Sequence, residues 1–189
     1  MHRKTIILTL ALTLALAAGA SAQTALVQKM GLSELADNAE NIHRVTVLAV
    51  EPGTVALGGT ELPTVTYRLR VEDTFKGEYA GKQGDDETLV ELTMLGTVKA
   101  DAPNGTLQRL SHLPALPELA VGGTYVLFTT EPSAAGLSTT VGLSQGSFKV
   151  WQSPDKQELV ANDLNNLGIF EGPVTYATLA GAIHDELGN

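Results

Sequence analysis

The stretch TVTYRLRVE, residues 64–72, alternates apolar and polar side chains over its whole length. Its apolar residues recur at every second position: Val65, Tyr67, Leu69 and Val71. A period of two is the signature of a half-buried β-strand, and β-branched or aromatic side chains suit the buried face of such a strand. The stretch therefore predicts a β-strand with one face in a core and the other face towards solvent.

Shorter runs of similar character lie on both sides of this stretch. They predict further strands over residues 44–51, 89–95, 124–130, 137–143, 148–151 and 157–161. Pro52-Gly53 ends the first of these runs, and Gly58-Gly59 marks a turn. Parallel strands need helical crossovers, and no helical pattern lies between the runs. The sequence therefore predicts an all-β fold, a small antiparallel barrel of five to six strands that is OB-like, of the oligonucleotide/oligosaccharide-binding type.

A helix is predicted at each end of this block of strands. Ser33 is the expected N-cap of a short helix that reaches about Asn41. The second helix is amphipathic, follows Pro173 and Thr175, and ends at Gly188, the expected C-cap. Its apolar stripe has the three-and-four spacing of a helix packed on a core, and consists of Tyr176, Leu179, Ile183 and Leu187.

The first 22 residues have the layout of a secretory signal peptide. A basic start (MHRK, residues 1–4) precedes an apolar run over residues 6–18, and Ala20-Ser21-Ala22 offers the small residues that a signal peptidase reads. The apolar run is too short to span a bilayer comfortably. We therefore expect cleavage after Ala22, one mature domain over residues 23–189 without a membrane span, and a secreted or periplasmic location.

Composition narrows the classes of partner. The full chain has a net charge of −9, and loss of Arg3 and Lys4 with the signal would leave ten basic against twenty-one acidic residues, a net charge of −11. This charge argues against nucleic acid or an anionic membrane surface as partner. The chain has no cysteine, which excludes disulfides, thiolate zinc sites and thiol catalysis. A protein or a cell-envelope component is the expected partner.

The segment over residues 97–120 carries the best binding candidates. It is longer than most connections without a function, and leucine recurs at every third position from residue 107 to residue 119. The candidate binding residues are Arg109, His112, Leu113 and Leu116, together with Trp151, the only tryptophan. In the alternative interpretation, the leucines cap one open end of the barrel and Trp151 anchors the core.

One motif raises the possibility of catalysis. Residues 142–146 (GLSQG) match the G-x-S-x-G pattern of hydrolases, and Asp155 or Asp163 and then His184 follow in the chain order of that fold. A strand, however, is predicted after Ser144, whereas the hydrolase motif needs a helix there. The sequence therefore favours a glycine-flanked bend between two strands.

The histidines give no metal signature. His43, His112 and His184 lie far apart along the chain and share no ligand spacing. We therefore expect neither a metal ion nor another cofactor.

Four segments resemble, in the same order, a group of exported bacterial proteins with a small netrin/TIMP-like barrel. They are LSELADNAENIHRVTVLAVE (32–51), TVTYRLRVEDTFKGE (64–78), VGGTYVLF (121–128) and VGLSQGSFKV (141–150). The resemblance implies export and a small barrel fold. This chain departs from the group over residues 97–120, which are rich in leucine and proline instead of glycine and aromatic residues.

From these features we expect a non-enzymatic exported binding or interaction module for a protein or cell-envelope partner. Two alternatives stay open. One is a small serine hydrolase that uses Ser144. The other is a protease-inhibitor-like barrel, suggested by the netrin/TIMP outline, although the N-terminal cysteine that inhibitors of that family use is missing.

Overall fold

The computed structural model describes residues 29–78, 82–84, 87–100, 107–110 and 116–188. The predicted signal peptide, residues 1–22, lies outside the described residues. Within the described ranges, no helix is long and apolar enough to cross a membrane.

The described residues form ten strands, two α-helices and one 3₁₀ helix. The strands are β1 (Asn41–Leu57), β2 (Thr60–Lys76), β3 (Lys82–Gly84), β4 (Glu87–Leu95), β5 (Thr97–Ala100), β6 (Leu107–Leu110), β7 (Thr124–Thr129), β8 (Ser147–Gln152), β9 (Glu158–Ala161) and β10 (Val174–Thr175). The helices are α1 (Leu32–Asn38) and α2 (Tyr176–Leu187), and the 3₁₀ helix spans Leu143–Gly146.

Eight of these strands form one open antiparallel sheet in the order β10-β9-β8-β7-β1-β2-β4-β3, and β5 pairs with β6 in a separate hairpin. The predicted mainly-β antiparallel fold with a helix near each end is confirmed. The strands outnumber the five or six expected because β3, β5, β6 and β10 have only two to four residues each, too few for alternation to reveal them. Residues 137–143, predicted as a strand, form instead a single bridge between Thr140 and Thr129.

Strand β2 buries the alternating face that its sequence predicts. Val65, Tyr67 and Leu69 are each at most 1% exposed, since β1, β4 and β7 contribute side chains to the same apolar cluster. We call this cluster the strand core; its other buried members are Val45, Val47, Val50, Val90, Leu92, Met94, Leu119, Tyr125 and Leu127.

A second cluster, the helix core, lies on the other face of the sheet beneath α1 and α2. Its buried members are Leu32, Leu35, Ala36, Ala39, Ile42, Phe75, Val126, Phe128, Val141, Phe148, Val150, Val160, Leu179 and Ile183. Strand β7 sends Val126 and Phe128 to the helix core, and its alternate residues Tyr125 and Leu127 to the strand core. The continuous apolar run of β7 is therefore buried on both faces, as expected.

Helix α2 has the predicted caps. The Thr175 hydroxyl accepts from the Thr178 backbone N–H at 3.1 Å, and Gly188 has the left-handed conformation of a C-cap, with φ of 70°. The predicted stripe is confirmed, because Leu179 and Ile183 are fully buried.

Helix α1 starts earlier than predicted. Gly31 is its N-cap, and the exposed Ser33 lies inside its first turn. The Gly31 N–H donates to the Glu34 carboxylate at 3.3 Å, so Glu34 satisfies a backbone donor ahead of the helix. Glycine is an acceptable N-cap, although serine is preferred there, and burial of Leu32 and Leu35 in the helix core sets the start.

Candidate functional site

Part of the segment over residues 97–120 covers the strand core. Leu119 is 3% exposed, Pro117 is buried, and the half-buried Leu116 packs against the same cluster. These contacts agree with the alternative in which the leucines cap the core, and a binding role for the half-buried Leu116 stays a prediction.

The other predicted binding residues are not brought together with Leu116 by any described contact. Arg109 lies in β6 with its backbone opposite Val98 of β5, and His112 and Leu113 lie outside the described residues. Trp151 is half-buried in β8, opposite Leu159 of β9. Their role in binding stays a prediction.

The G-x-S-x-G motif builds a buried turn. Ser144 is 8% exposed and lies in the 3₁₀ helix, which leads directly into β8 at Ser147. The buried Gln145 side chain accepts from the Met30 N–H at 2.9 Å and donates to the Gly142 carbonyl at 3.3 Å. The motif therefore ties the chain around Met30 to the sheet, as a bend between structural elements.

This environment does not support the hydrolase alternative. No strand-to-helix elbow surrounds Ser144, and no hydrogen bond between Ser144 and a histidine or aspartate occurs among the described residues. Nor does the described part of the chain hold three histidine, aspartate or glutamate side chains placed to bind a metal ion together.

Strands β1 and β2 extend past the rest of the sheet. β7 pairs with β1 only from Asn41 to Thr46, and β4 pairs with β2 only from Thr64 to Val71. Beyond those limits, within the described residues, β1 and β2 form a ladder only with each other, and the Gly96 N–H donates to the Pro63 carbonyl at 3.0 Å at the base of this extension. We call residues 51–63 the ribbon; eleven of these thirteen residues are exposed and two are half-buried.

A two-residue turn closes the ribbon. Gly58 and Gly59 have φ of 57° and 80°, the left-handed values that a type I′ hairpin turn needs and glycine adopts readily. The sequence prediction missed the ribbon because it ended β1 at Pro52-Gly53. A Gly-Gly pair between two extended runs was the signal that could have found it.

The prolines of the ribbon lie on its outer edges. The two-residue turn makes Leu57 and Thr60 a hydrogen-bonded pair, and strict alternation then makes Pro52–Val65 and Thr54–Pro63 non-hydrogen-bonded pairs. Both proline ring nitrogens therefore face away from the partner strand. Each outer edge lacks an N–H donor at its proline, and the Pro63 carbonyl already accepts from the Gly96 N–H at 3.0 Å. Both features hinder the addition of a further strand.

The ribbon carries aliphatic side chains on one face, and its ionisable residues are acidic. Val55 lies directly opposite the half-buried Leu62, and Leu57, 38% exposed, lies on the same face next to the turn. The ionisable residues of the ribbon are Glu51 and Glu61, and it contains no basic residue. Strand β5 contacts both β1 and β2, so the β5–β6 hairpin reaches these strands through β5.

A network around Arg44 ties the sheet together. Its Nε donates to Glu72 of β2 at 2.9 Å, and its two Nη atoms donate to the Glu158 carboxylate of β9 at 2.8 and 2.7 Å. The guanidinium carbon lies 4.3 Å from the ring centroid of Tyr176, the first residue of α2, within reach of a cation–π contact. Arg44 thus links β1, β2, β9 and α2.

The pKa values in this network follow from the same contacts. The hydrogen bonds from Arg44 lower the pKa of the Glu158 carboxyl. Burial raises the pKa of Tyr176 to about 12, and the hydrogen bond that the Tyr176 hydroxyl donates to Asp73 at 2.8 Å acts in the same direction. Each guanidinium nitrogen already donates to a carboxylate, so this cluster is an anchor and not a ligand site.

Replacing Arg44 with alanine should lower the free energy of unfolding by about 2 kcal/mol, because it leaves two acids facing each other without their cation. Lysine should recover less than half of this loss, since it lacks the planar fork. Urea unfolding of Arg44→Ala, Glu158→Gln and the double variant measures the coupling. Arg68→Ala, an exposed arginine on β2, is the control with an expected loss below about 0.5 kcal/mol; equal losses for both arginines would contradict the anchor.

His43 should make stability depend on pH. Burial lowers the pKa of His43 to about 4, against an opposing effect of Asp73. The residue is 3% exposed, and its Nδ1 lies 3.0 Å from the Thr74 hydroxyl. Below pH 6.5 the unfolded chain binds a proton that the folded chain does not bind until about pH 4, so stability falls through this window as pH falls.

We expect His43→Gln to remove about 2 kcal/mol of the stability difference between pH 7 and pH 5. Urea unfolding at both pH values, with the exposed His184→Gln as control, measures this difference. A pH dependence that is the same in wild type and His43→Gln would refute the assignment.

Comparison with protein-family models gives no match, and comparison with curated protein sequences gives none either. The function of the chain is therefore inferred from its own sequence and geometry.

Proposed function

We propose that the protein is an exported, non-enzymatic binding module that contacts a partner protein through the ribbon. The observation that carries this proposal is the extension of β1 and β2 beyond both neighbouring strands, which exposes eleven of thirteen residues. Functional residues are commonly carried on segments that project from a rigid scaffold. Here the scaffold is the sheet, whose strands β4 and β7 hold the base of the ribbon.

The rest of the molecule can serve as a rigid scaffold that holds the ribbon in position. An isolated two-stranded ribbon is marginally stable in water, so the ribbon depends on the two apolar cores and the Arg44 network for its position. Its own apolar residues, Val55, Leu57 and Leu62, contribute to neither core cluster among the described residues. The exposure of Leu57 and the partial exposure of Val55 and Leu62 are consistent with a contact surface.

We also propose export through the signal peptide at residues 1–22 and membership of the exported bacterial group that the sequence resembles. Mass spectrometry of protein recovered outside the cytoplasm should give a chain that begins at Gln23. An uncleaved chain in the cytoplasm would contradict export.

The fold proposed for this module is an OB-like barrel. Two backbone hydrogen bonds support it: Ser138 N–H donates to Thr93 of β4 at 2.9 Å, and Thr130 N–H donates to Thr139 at 2.9 Å. Residues 138–140 would then join β4 to β7 around the strand core. Slow amide exchange at Ser138 is expected; exchange as fast as at the ribbon tip would contradict closure.

The test of binding uses a shortened ribbon. Removing residues 54–57 and 60–63 takes away four cross-strand pairs and leaves the Gly53–Thr64 pair next to the same Gly58-Gly59 turn. An even number of pairs keeps every remaining side chain on its face. The free energy of unfolding of the variant should lie within about 1 kcal/mol of the wild-type value, because the deleted residues are mostly exposed.

Binding is measured by photo-crosslinking in the native envelope. A benzophenone side chain at Leu57 should give a discrete adduct with one protein, and the same group at the exposed Asp155 should not. Unlabelled full-length chain should suppress the Leu57 adduct in competition, while the shortened variant should not. Absence of a Leu57 adduct, or equal competition by the shortened variant, would overturn the proposal.

A further inference from the structure

The size of the ribbon limits the shape of its partner. The six residues from Pro52 to Leu57 span about 20 Å at the rise of a β-strand, and two strands are about 10 Å wide. One face therefore offers roughly 200 Å², whereas a stable protein interface buries about 800 Å² on each partner. Contact with a flat surface would bury too little area for a stable interface, so the partner has to enclose both faces and the tip of the ribbon.

The edges of the ribbon limit the mode of contact. Because Pro52 and Pro63 remove outward N–H donors from β1 and β2, a partner strand could not form a continuous ladder along either edge. Side chains on the faces and at the tip are left to make the contact. Leu57 lies next to the turn at the tip, and the Val55–Leu62 pair lies behind it on the same face.

The charge of the ribbon limits the chemistry of the partner. Alternation places Glu51 and Glu61 on opposite faces, Glu51 near the base and Glu61 near the tip. Two ribbons packed face to face would bring one carboxylate from each into a small interface without a basic residue of the ribbon to pair them, which disfavours self-association. The two glutamates of the ribbon would attract a partner with cationic side chains around its contact surface. The net negative charge of the whole chain would add to this attraction.

We infer that the ribbon inserts tip first into a concave cleft of another exported protein. The cleft would have an aliphatic floor that receives Leu57, a lysine or arginine in the wall that faces Glu61 near the tip, and a rim of lysine or arginine that faces Glu51 near the base. This inference rests on the proposed function and specifies its partner. Insertion of the ribbon into a cleft would also resemble the way an inhibitor occupies the cleft of its target, and it would not require an N-terminal cysteine.

The experiment uses the protein captured by the Leu57 crosslink, purified and titrated by calorimetry against the mature full-length chain. The double variant Glu51→Lys/Glu61→Lys should weaken binding at least tenfold, and Leu57→Ser should weaken it by a similar factor. Asp155→Lys/Asp185→Lys is the matched control, because both residues are exposed outside the ribbon and the change in net charge is the same. Thermal unfolding confirms that every variant is folded.

The outcomes separate the two proposals. Selective loss in the two ribbon variants, with less than a twofold change in the control, supports the cleft. Equal loss in both charge variants, or unchanged affinity in the ribbon variants, overturns the cation-rimmed cleft and leaves the binding module standing. A Leu57 adduct with a second copy of this chain, or with lipid, also overturns the inference. No adduct at Leu57 removes the proposed function itself.

Discussion

Replacing Asn166 with alanine should lower the free energy of unfolding by about 4 kcal/mol. Asn166 is fully buried and brackets the loop between β9 and β10. Its amide nitrogen donates to the Val160 carbonyl at 3.1 Å and to the Gly172 carbonyl at 2.9 Å, and its amide oxygen accepts from the Asn162 N–H at 2.9 Å. Alanine leaves three backbone groups without this partner, at about 1–3 kcal/mol each when they stay buried.

The neighbouring residue provides a matched control. Asn165 has a similar left-handed backbone, with φ of 53° against 60° for Asn166, but it is exposed. Asn165→Ala should therefore lose only the backbone preference of asparagine, about 1 kcal/mol. Thermal unfolding should show a decrease of about 10 °C for Asn166→Ala and about 3 °C for Asn165→Ala. Equal decreases would mean that backbone conformation, and not the side-chain bracket, holds the loop.

Replacing Gly146 with alanine should destabilise the protein by about 3 kcal/mol. A Cβ at this position would clash with the Val141 carbonyl oxygen and lie 3.2 Å from the Phe128 carbonyl oxygen. Both atoms belong to the backbone, and the Val141 N–H donates to the Phe128 carbonyl at 2.8 Å, which ties residue 141 to β7. The extra methyl group can therefore be accommodated only by moving the turn away from β7.

The control for Gly146 is Gly181, where a Cβ would have no neighbour within 4 Å. Because Gly181 lies in α2, alanine there should stabilise the protein by about 0.5–1 kcal/mol. Urea unfolding followed by the fluorescence of Trp151 measures both changes. A neutral Gly146→Ala would show that the turn is loosely packed, and it would remove the structural explanation for the second glycine of the G-x-S-x-G pattern.

These two predictions concern polar and glycine positions that the sequence did not reveal. Asn166 looks like an ordinary loop residue beside Asn165, and only its burial distinguishes the two. The sequence predicts a bend at Gly146, but the atoms that exclude a side chain there belong to residues 128 and 141. Spacing along the chain carries no information about such contacts, since they depend on how β7 and β8 are placed side by side.

Elements with a local pattern can be predicted from the amino-acid sequence alone. The period of two over residues 64–72 placed β2 and its buried face, and the stripe and caps of α2 placed the last helix, because burial of one face imposes a period on the residues that form it. The tertiary structure decided the rest. Arg44 meets Glu158 across 114 residues, and β1 continues through Pro52 because the alternation of its pairing with β2 turns the proline nitrogen outward. Both results depend on which strands become neighbours, and so does the ribbon that we propose as the binding site.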